Sequence, residues 1–446
     1  MFSKTTLTKM SLRAVWLLPM LFVFALPVMA QQTQRVESDG EMYWGHSHDD
    51  HSYSMTLEGE VVFKSDDSGI ESLSRGGLVV LEAEEDGERR KLKVENGRGG
   101  MTFEYSVNGR RVEYTPAVER ELESFFLFFI RESGVNAEAR VARFLDDGGP
   151  DAVFNEVEAI ESASSVGKYA RALVKVGDLD TRNLNRTISL VSDRISSSGD
   201  KARFARDVSE FYLANPSTYD AYFGLIASVG SSGDRSRVLL HLLAGDLNRE
   251  AWTRSIEAAV TIPSSGDKTR VLIGALGTYT DDARVRDLYF TAVESIDSSG
   301  DRSRLLRAAL MELELDTDTA IRVYRAAADM GSSGDKARVL TTAVPFYTDT
   351  QDQREAFFKA VDSIGSAGDR SRVLLALLAD GQVGQAGLER LLTSVRGIHA
   401  SGDASRVLVR AAPLVEDEQV DSYLAAAESI GGSGDRSRAL KALMDR

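Results

Sequence analysis

The stretch Ser231-Ser232-Gly233-Asp234-Arg235-Ser236-Arg237-Val238-Leu239 decides the fold, because it returns at a fixed interval. The aspartates of its copies are Asp200, Asp234, Asp267, Asp301, Asp335, Asp369, Asp403 and Asp435, at steps of 34, 33, 34, 34, 34, 34 and 32 residues. A worn earlier copy is Ser164-Ser165-Val166-Gly167-Lys168-Tyr169-Ala170-Arg171. A constant period of this length marks a solenoid, whose units bury their apolar faces against one another.

Each unit reads as two helices. Ser231 is placed as an N-cap with Asp234 at N3, or Asp234 as the cap itself; both start a helix here and put a carboxylate in its first turn. Val238, Leu239, Leu242 and Leu243 then form a buried stripe, repeated by Val271, Leu272, Ala275 and Leu276 and by Val373, Leu374, Leu377 and Leu378. The second helix places apolar residues about 11 or 12, 8 and 5 positions before the next Asp, as in Tyr289, Phe290, Val293 and Ile296. The motif glycines suit the turn between units. The last copy, from Ser433, holds only a first helix and reads as a cap of the array.

An arginine follows each Asp by three, on the same side of the helix turn. The pairs Asp234/Arg237, Asp267/Arg270, Asp301/Arg304, Asp335/Arg338, Asp369/Arg372 and Asp403/Arg406 are expected to form a polar ladder, within or between units. If that ladder is buried, Arg304→Ala costs about 1–3 kcal/mol. This arrangement resembles the Asp/Arg ladders of HEAT-type repeats. The period equals that of tetratricopeptide repeats, whose Trp and Leu-Gly signature is absent. A functional alternative, arginines that hold an anionic polymer, is opposed by the neighbouring aspartates.

The N-terminus has a different character. Lys4, Lys9 and Arg13 precede an apolar stretch from Ala14 to Leu26, and Pro27-Val28-Met29-Ala30 supplies a small-residue cleavage site. That order predicts a signal peptide over residues 1–30, cleaved after Ala30, and a periplasmic or secreted chain without membrane insertion of its mature part. Residues 31–52 read as a flexible polar linker. Within it His46, His48, Asp50 and His51 form a candidate metal-binding cluster, weak at most, because metal chemistry needs ligands held by a rigid surround.

Residues 53–135 read as a small β module with a covering helix. Tyr53, Met55, Leu57, Val61 and Phe63 alternate with polar residues, and so do Met101, Phe103, Tyr105 and Val107. Asn108-Gly109 predicts a type I′ hairpin. Pro116 opens a helix carrying Phe125, Phe126, Phe128, Phe129 and Ile130, expected to cover the sheet, with partner binding or membrane dipping as the alternative. Helices at 136–145 and 150–161 then lead into the array of eight to nine units that fills residues 136–446.

The runs Gly59-Glu60-Val61-Val62-Phe63, Ile70-Glu71-Ser72-Leu73-Ser74-Arg75-Gly76-Gly77 and Ala137-Glu138-Ala139-Arg140-Val141-Ala142-Arg143-Phe144-Leu145 carry a resemblance over residues 58–172. This region resembles the soluble extracytoplasmic module found beside membrane zinc metallopeptidases of the beta-lactam-sensor type. His-Glu-x-x-His and a membrane bundle are missing from the sequence, so the resemblance implies a sensor-like or scaffold module without protease activity.

Composition narrows the function. The chain has 446 residues, 68 acidic and 53 basic side chains, a formal charge of −15 and no cysteine. The acidic balance argues against nucleic acid. The lack of thiols excludes disulfides, thiolate metal sites and cysteine nucleophiles. No phosphate loop or nucleophile elbow is present. His241 and His399 stand alone in the repeats. The expectation is an α+β, mainly α chain with no cofactor. It is read as a non-enzymatic scaffold for protein partners in the bacterial envelope. The alternatives are an envelope sensor subunit working with a membrane peptidase and, less favoured, a metal-dependent enzyme using His46 to His51.

Overall fold

A computed structural model describes residues 34–36, 41–48, 51–279, 282–313 and 316–446. The signal-peptide segment lies outside the described residues. The fold is α+β and mainly α: a small antiparallel β module followed by a long array of paired helices.

Nine strands build the module: β1 Gln34–Val36, β2 Glu41–His48, β3 His51–Glu58, β4 Val61–Phe63, β5 Ile70–Leu73, β6 Leu78–Glu85, β7 Glu88–Gly97, β8 Gly100–Val107 and β9 Arg110–Arg111. They form a six-stranded antiparallel sheet in the order β2-β3-β6-β7-β8-β9 and a three-stranded sheet β1-β4-β5. Asn108 and Gly109 both have positive φ, 51° and 74°, as a type I′ turn requires. Asp86 and Gly87 turn β6 into β7 with φ of 51° and 80°.

The polar lead-in is not a linker where it is described. Residues 41–48 are β2, paired along its length with β3. Met42 and Trp44, two residues apart on one strand face, pack against the module core, with Trp44 edge-on to Phe129 at 6.0 Å. Two apolar side chains in a polar stretch suffice once the neighbouring strand supplies the ladder.

Helix α1, Pro116–Ser133, is capped by the Thr115 side chain. Its Phe125, Phe126, Phe129 and Ile130 are buried against Met55, Leu57, Leu81 and Leu92 of the sheet. Helix α2, Ala137–Glu158, is broken at Gly148-Gly149, where Gly149 has φ 67°. Helix α3, Ala163–Val176, completes the junction.

Beyond it two rows of helices run side by side. The motif row is Ser198–Asp207, Ser232–Leu243, Ser265–Gly274, Ser299–Glu312, Ser333–Ala343, Ala367–Asp380, Ser401–Ala411 and Ser433–Met444. The partner row is Thr181–Arg194, Tyr219–Ala227, Arg249–Val260, Ala283–Glu294, Thr317–Ala328, Gln351–Asp362, Gln385–Val395 and Val420–Glu428. Each motif helix packs on the next motif helix, and each partner helix on the next partner helix. One apolar core runs the length of the array.

Units alternate in pairs. The residue after the motif Asp is Lys201, Arg235, Lys268, Arg302, Lys336 and Arg370 in turn. Motif helices of the lysine units are followed by Tyr212, Tyr279 or Tyr347. Each ring meets an aromatic of the next partner helix: Tyr222 at 5.2 Å, Tyr289 at 5.5 Å and Phe357 at 5.1 Å. The structural repeat is therefore a double unit. Phe223, Phe290 and Phe358 recur at 67 and 68 residues.

Candidate functional site

The repeated turn is the one feature present along the whole array, and its side chains divide into distinct tasks. The serine three before Asp caps the helix: Ser231, Ser264, Ser298, Ser332 and Ser366 each accept the backbone N–H of the motif Asp at 3.2–3.3 Å. Ala400 and Gly432 replace it in the last two copies and make no side-chain cap.

The serine two before Asp joins units. Ser198 Oγ accepts the N–H of Ser231 at 3.2 Å, Ser299 Oγ that of Gly331 at 3.0 Å, Ser333 Oγ that of Gly365 at 3.1 Å, and Ser401 Oγ that of Gly432 at 2.9 Å. Each bond reaches into the following turn.

The basic residue after Asp closes the C-terminus of a partner helix, where unpaired carbonyls and the negative dipole end attract a cation. Arg302 donates to the carbonyls of Glu294 and Ile296 at 2.8 and 2.6 Å, and Arg370 to those of Asp362 and Ile364 at 2.7 and 2.8 Å. The lysines reach forward into the next unit. Lys268 Nζ donates to the carbonyl and hydroxyl of Ser295, and Lys336 Nζ to both oxygens of Ser363 and to the Ala328 carbonyl at 2.8 Å. Burial pushes the Lys268 and Lys336 ammonium groups below their ordinary range. Each serine turn at 295 and 363 is thus closed by its own Arg and by the Lys of the unit before.

The Asp and Arg expected to form the ladder behave otherwise. Asp267 and Arg270 pair at 3.1 Å, Asp301 and Arg304 at 3.0 Å, and Asp369 and Arg372 at 2.9 Å. Asp234 also pairs with Arg237, Asp335 with Arg338, and Asp403 with Arg406. Every such pair lies within one helix turn, not between units. The side chains of Arg237, Arg270, Arg304, Arg338, Arg372 and Arg406 are all exposed, from 56% at Arg304 to 65% at Arg237 and Arg406, with Arg338 at 62%. The pairs expected within or between units are thus within units, and the burial on which the larger Arg304 effect depended is absent at all six arginines, Arg338 and Arg406 included. The physical reason is their place in the first turn of the motif helix, on the face turned to solvent, while Val339 and Leu340 or Val407 and Leu408 beside them take the core face. The inter-unit polar bonds come instead from the serine two before Asp and the lysine one after. The pairs line open clefts between neighbouring turns, one of about 340 Å³ between Asp267/Arg270 and Asp301/Arg304.

Partner helices carry a second set of ion pairs, from one unit to the next. Arg254 meets Asp220 at 2.8 Å and Arg390 meets Asp362 at 2.5 Å; Arg186 pairs with Asp151 and Arg322 with Asp287. Arg186, Arg322 and Arg390 also lie over the rings of Phe154, Phe290 and Phe358 at 3.8, 5.9 and 5.5 Å. A further cleft of about 380 Å³ is lined by Ala328, Ala356, Arg325 and Lys359 and by the acids Glu294, Asp329, Asp352 and Glu355.

The junction with the β module is buried and ionic. Arg140, 1% exposed, reaches Asp67 at 2.9 Å and Glu156 at 2.7 Å and donates to the Tyr169 hydroxyl. Arg143 also pairs with Asp67, and Arg131 with Glu156 at 2.8 Å. Burial pushes the Glu156 carboxyl up, but its bonds to Arg131 and Arg140 outweigh this and hold it below the usual range. Burial raises the Tyr169 hydroxyl to about 12.

The histidines of the cluster lie on the paired strands β2 and β3. His48 is the backbone partner of His51, and His46 that of Tyr53. Asp50 lies outside the described residues. His51 Nδ1 is buried without a partner among the described residues, and those residues hold no group of three metal-ligating side chains.

The residues after and two before each Asp escaped the sequence reading. Their signal was the Lys/Arg alternation of the first six copies and the serine doublet of the first five.

No family model matches the chain, and no curated protein matches it. A solved structure from computational design of self-assembling cyclic protein homooligomers is similar at 14% identity, over 72% of this chain and 95% of that one. Its TM-score of 0.12 carries no argument about this molecule.

Proposed function

We propose that the protein is a non-enzymatic repeat scaffold, exported to the bacterial envelope, that binds protein partners along its array. The carrying observation is the division of labour in the repeated turn. Serine and Lys/Arg side chains common to most copies are consumed in capping helices and joining units. The positions six and seven after each Asp differ from unit to unit: Leu240 and His241, Ile273 and Gly274, Arg307 and Ala308, Thr341 and Thr342, with His241, Gly274 and Arg307 exposed and Leu240, Ile273 and Ala308 half-buried against the core. A rigid frame with a varied face suits recognition of an extended protein surface. No described helix is long and apolar enough to cross a membrane.

The test is capture from the native envelope with the chain from Gln31 onward, followed by titration of the purified partner. A saturable protein partner that survives moderate salt supports the scaffold. Its absence, or turnover of a small molecule by the pure chain, overturns it.

The sensor-subunit reading has one observation of its own. The β module and α1 are tied by polar bonds to the start of the array, because Arg140 and Arg143 hold Asp67, and Glu132 accepts the backbone N–H groups of Glu161 and Ser162 at 2.8 and 2.7 Å. On that reading, residues from Gln31 to Val176 alone retain a membrane peptidase partner. Capture that requires the array argues for the scaffold.

A further inference from the structure

The array is polarised across its width. Every motif helix starts at one edge and ends at the other. Across eight copies the seven-residue motif holds fifteen Lys or Arg against eight Asp. The arginines dominate its surface: at the two extremes Arg203 and Arg237 are 55% and 65% exposed, while Asp200 and Asp234 are 26% and 19% exposed.

The opposite edge is formed by the connections from each motif helix to the next partner helix. With the connection that follows α3, the worn first copy, and outside the short helix Ser209–Leu213, their described residues include nine acids and no Lys or Arg. Asp178, Asp246, Asp316, Glu416, Asp417 and Glu418 among them are exposed. Arginines of neighbouring elements reach a few, as Arg286 does Asp316 and Arg446 does Asp417, but the edge stays acidic. In a chain of net charge −15 the motif edge thus presents eight exposed arginines, each beside a less exposed Asp, while the bases that follow the Asp are turned inward to helix carbonyls.

We infer that copies of this chain associate side by side, the motif edge of one against the acidic edge of the next. A second copy fits best because both edges belong to the same units and share one spacing. Parallel placement sets motif turns opposite connections that are acidic in most units, the stretches 208–218 and 381–384 being the exceptions, a match an unrelated acidic partner lacks. The contact uses two different surfaces, so it is heterologous and leaves a free edge at each end for further growth. The overall negative charge opposes approach at long range. At about 0.1 M salt, screening beyond about 10 Å suppresses that repulsion and leaves the edge contacts intact. Association of this kind needs no foreign protein and stands apart from the scaffold reading.

Sedimentation velocity of the chain from Gln31 tests it. Mass is expected to rise with concentration at about 0.1 M salt, with association at least about tenfold weaker at about 1 M. The triple variant Arg237→Glu, Arg304→Glu, Arg372→Glu has lost its basic edge and should sediment as a single chain. So should Asp246→Lys, Asp380→Lys, Glu418→Lys, whose sites are exposed. An equimolar mixture of the two variants restores complementary edges and should associate again, which separates edge contact from misfolding. A wild-type chain that stays single at about 100 µM and 0.1 M salt overturns the inference, where edge attraction is least screened by salt. So does association that persists in either triple variant, or a mixture that fails to associate although circular dichroism shows both variants folded.

Discussion

Arg140 and Arg304 make the same chemical pair in opposite surroundings. Arg140 is 1% exposed and bridges Asp67 of the β module to Glu156 of α2. Arg304 is 56% exposed and touches Asp301 one turn away on its own helix. A buried guanidinium that loses its carboxylates, or carboxylates that lose it, leaves charge without solvent or partner. An exposed pair exchanges one set of water contacts for another. Sequence spacing marks the second pair eight times over and says nothing of the first, yet the first holds two regions of the molecule together.

The largest expected effect follows from that difference. Arg140→Met removes the bridge and leaves Asp67 and Glu156 buried with one arginine each, at a cost of about 3–5 kcal/mol. In the chain from Gln31, which lacks Trp16, Trp44 lies in the β module and Trp252 in the array, so fluorescence reports the two regions separately. In a Trp252→Phe background, urea unfolding followed by Trp44 should shift strongly. A shift below about 1 kcal/mol would remove the contrast between buried and exposed pairs.

Acid sharpens the same point. The Glu156 pKa is depressed in the folded chain, so the stability it contributes is present above the unfolded glutamate range. That contribution is lost as pH falls through the lowered folded value. Trp44 emission should therefore change on acidification, with a smaller pH dependence in Glu156→Gln. Identical acid profiles for the two proteins would place the acid sensitivity elsewhere.

How much of this was legible depends on whether the determining contact is local. The period, the paired helices and the serine caps were readable because capping and apolar stripes operate within one or two turns of chain. The NG hairpin was readable for the same reason. The strand at residues 41–48 was not, since Met42 and Trp44 become a buried face only when β3 and α1 stand beside them. Arg140 stands in a stretch that carries a resemblance, but its partners are 73 and 16 residues away. The Asp–Arg spacing pointed to the pair but left open whether it joined units or was buried, because spacing carries no information on burial. Arg338 and Arg406 show this as plainly as Arg304: each reaches the Asp three residues before it and leaves most of its side chain in solvent. The Lys/Arg alternation was visible in the sequence, though only the structure shows that the lysines reach forward across units.

Lys336 lies between the two extremes. Its ammonium makes three bonds, two of them to the next unit. Lys336→Met leaves the Ser363 turn with Arg370 alone and should cost about 1.5–3 kcal/mol. The array already contains a natural comparison in Ala404, which occupies the equivalent position before the Ser429 turn. Ala404→Lys should tighten that turn, as slower amide exchange at Ser429 and Ile430 would show. Ser298→Ala removes one helix cap and should cost about 1 kcal/mol in thermal unfolding of the array.

Arg304→Ala is expected to have the smallest effect, about 0.3–0.5 kcal/mol, the value of an exposed pair one turn apart. The aspartate contributes more than its partner, because it also sits in the first turn of a helix and favours the dipole whether or not an arginine is near. Asp301→Asn should therefore cost more than Arg304→Ala, and the double variant should cost nearly the sum. A double-mutant cycle in urea measures the coupling directly. Coupling above about 1.5 kcal/mol would mean that Asp301 and Arg304 behave as a desolvated pair despite their exposure. Small coupling leaves the eight motif arginines energetically dispensable to the fold. Their recurrence at the surface would then require a role outside the single chain, at the edge where another molecule meets them.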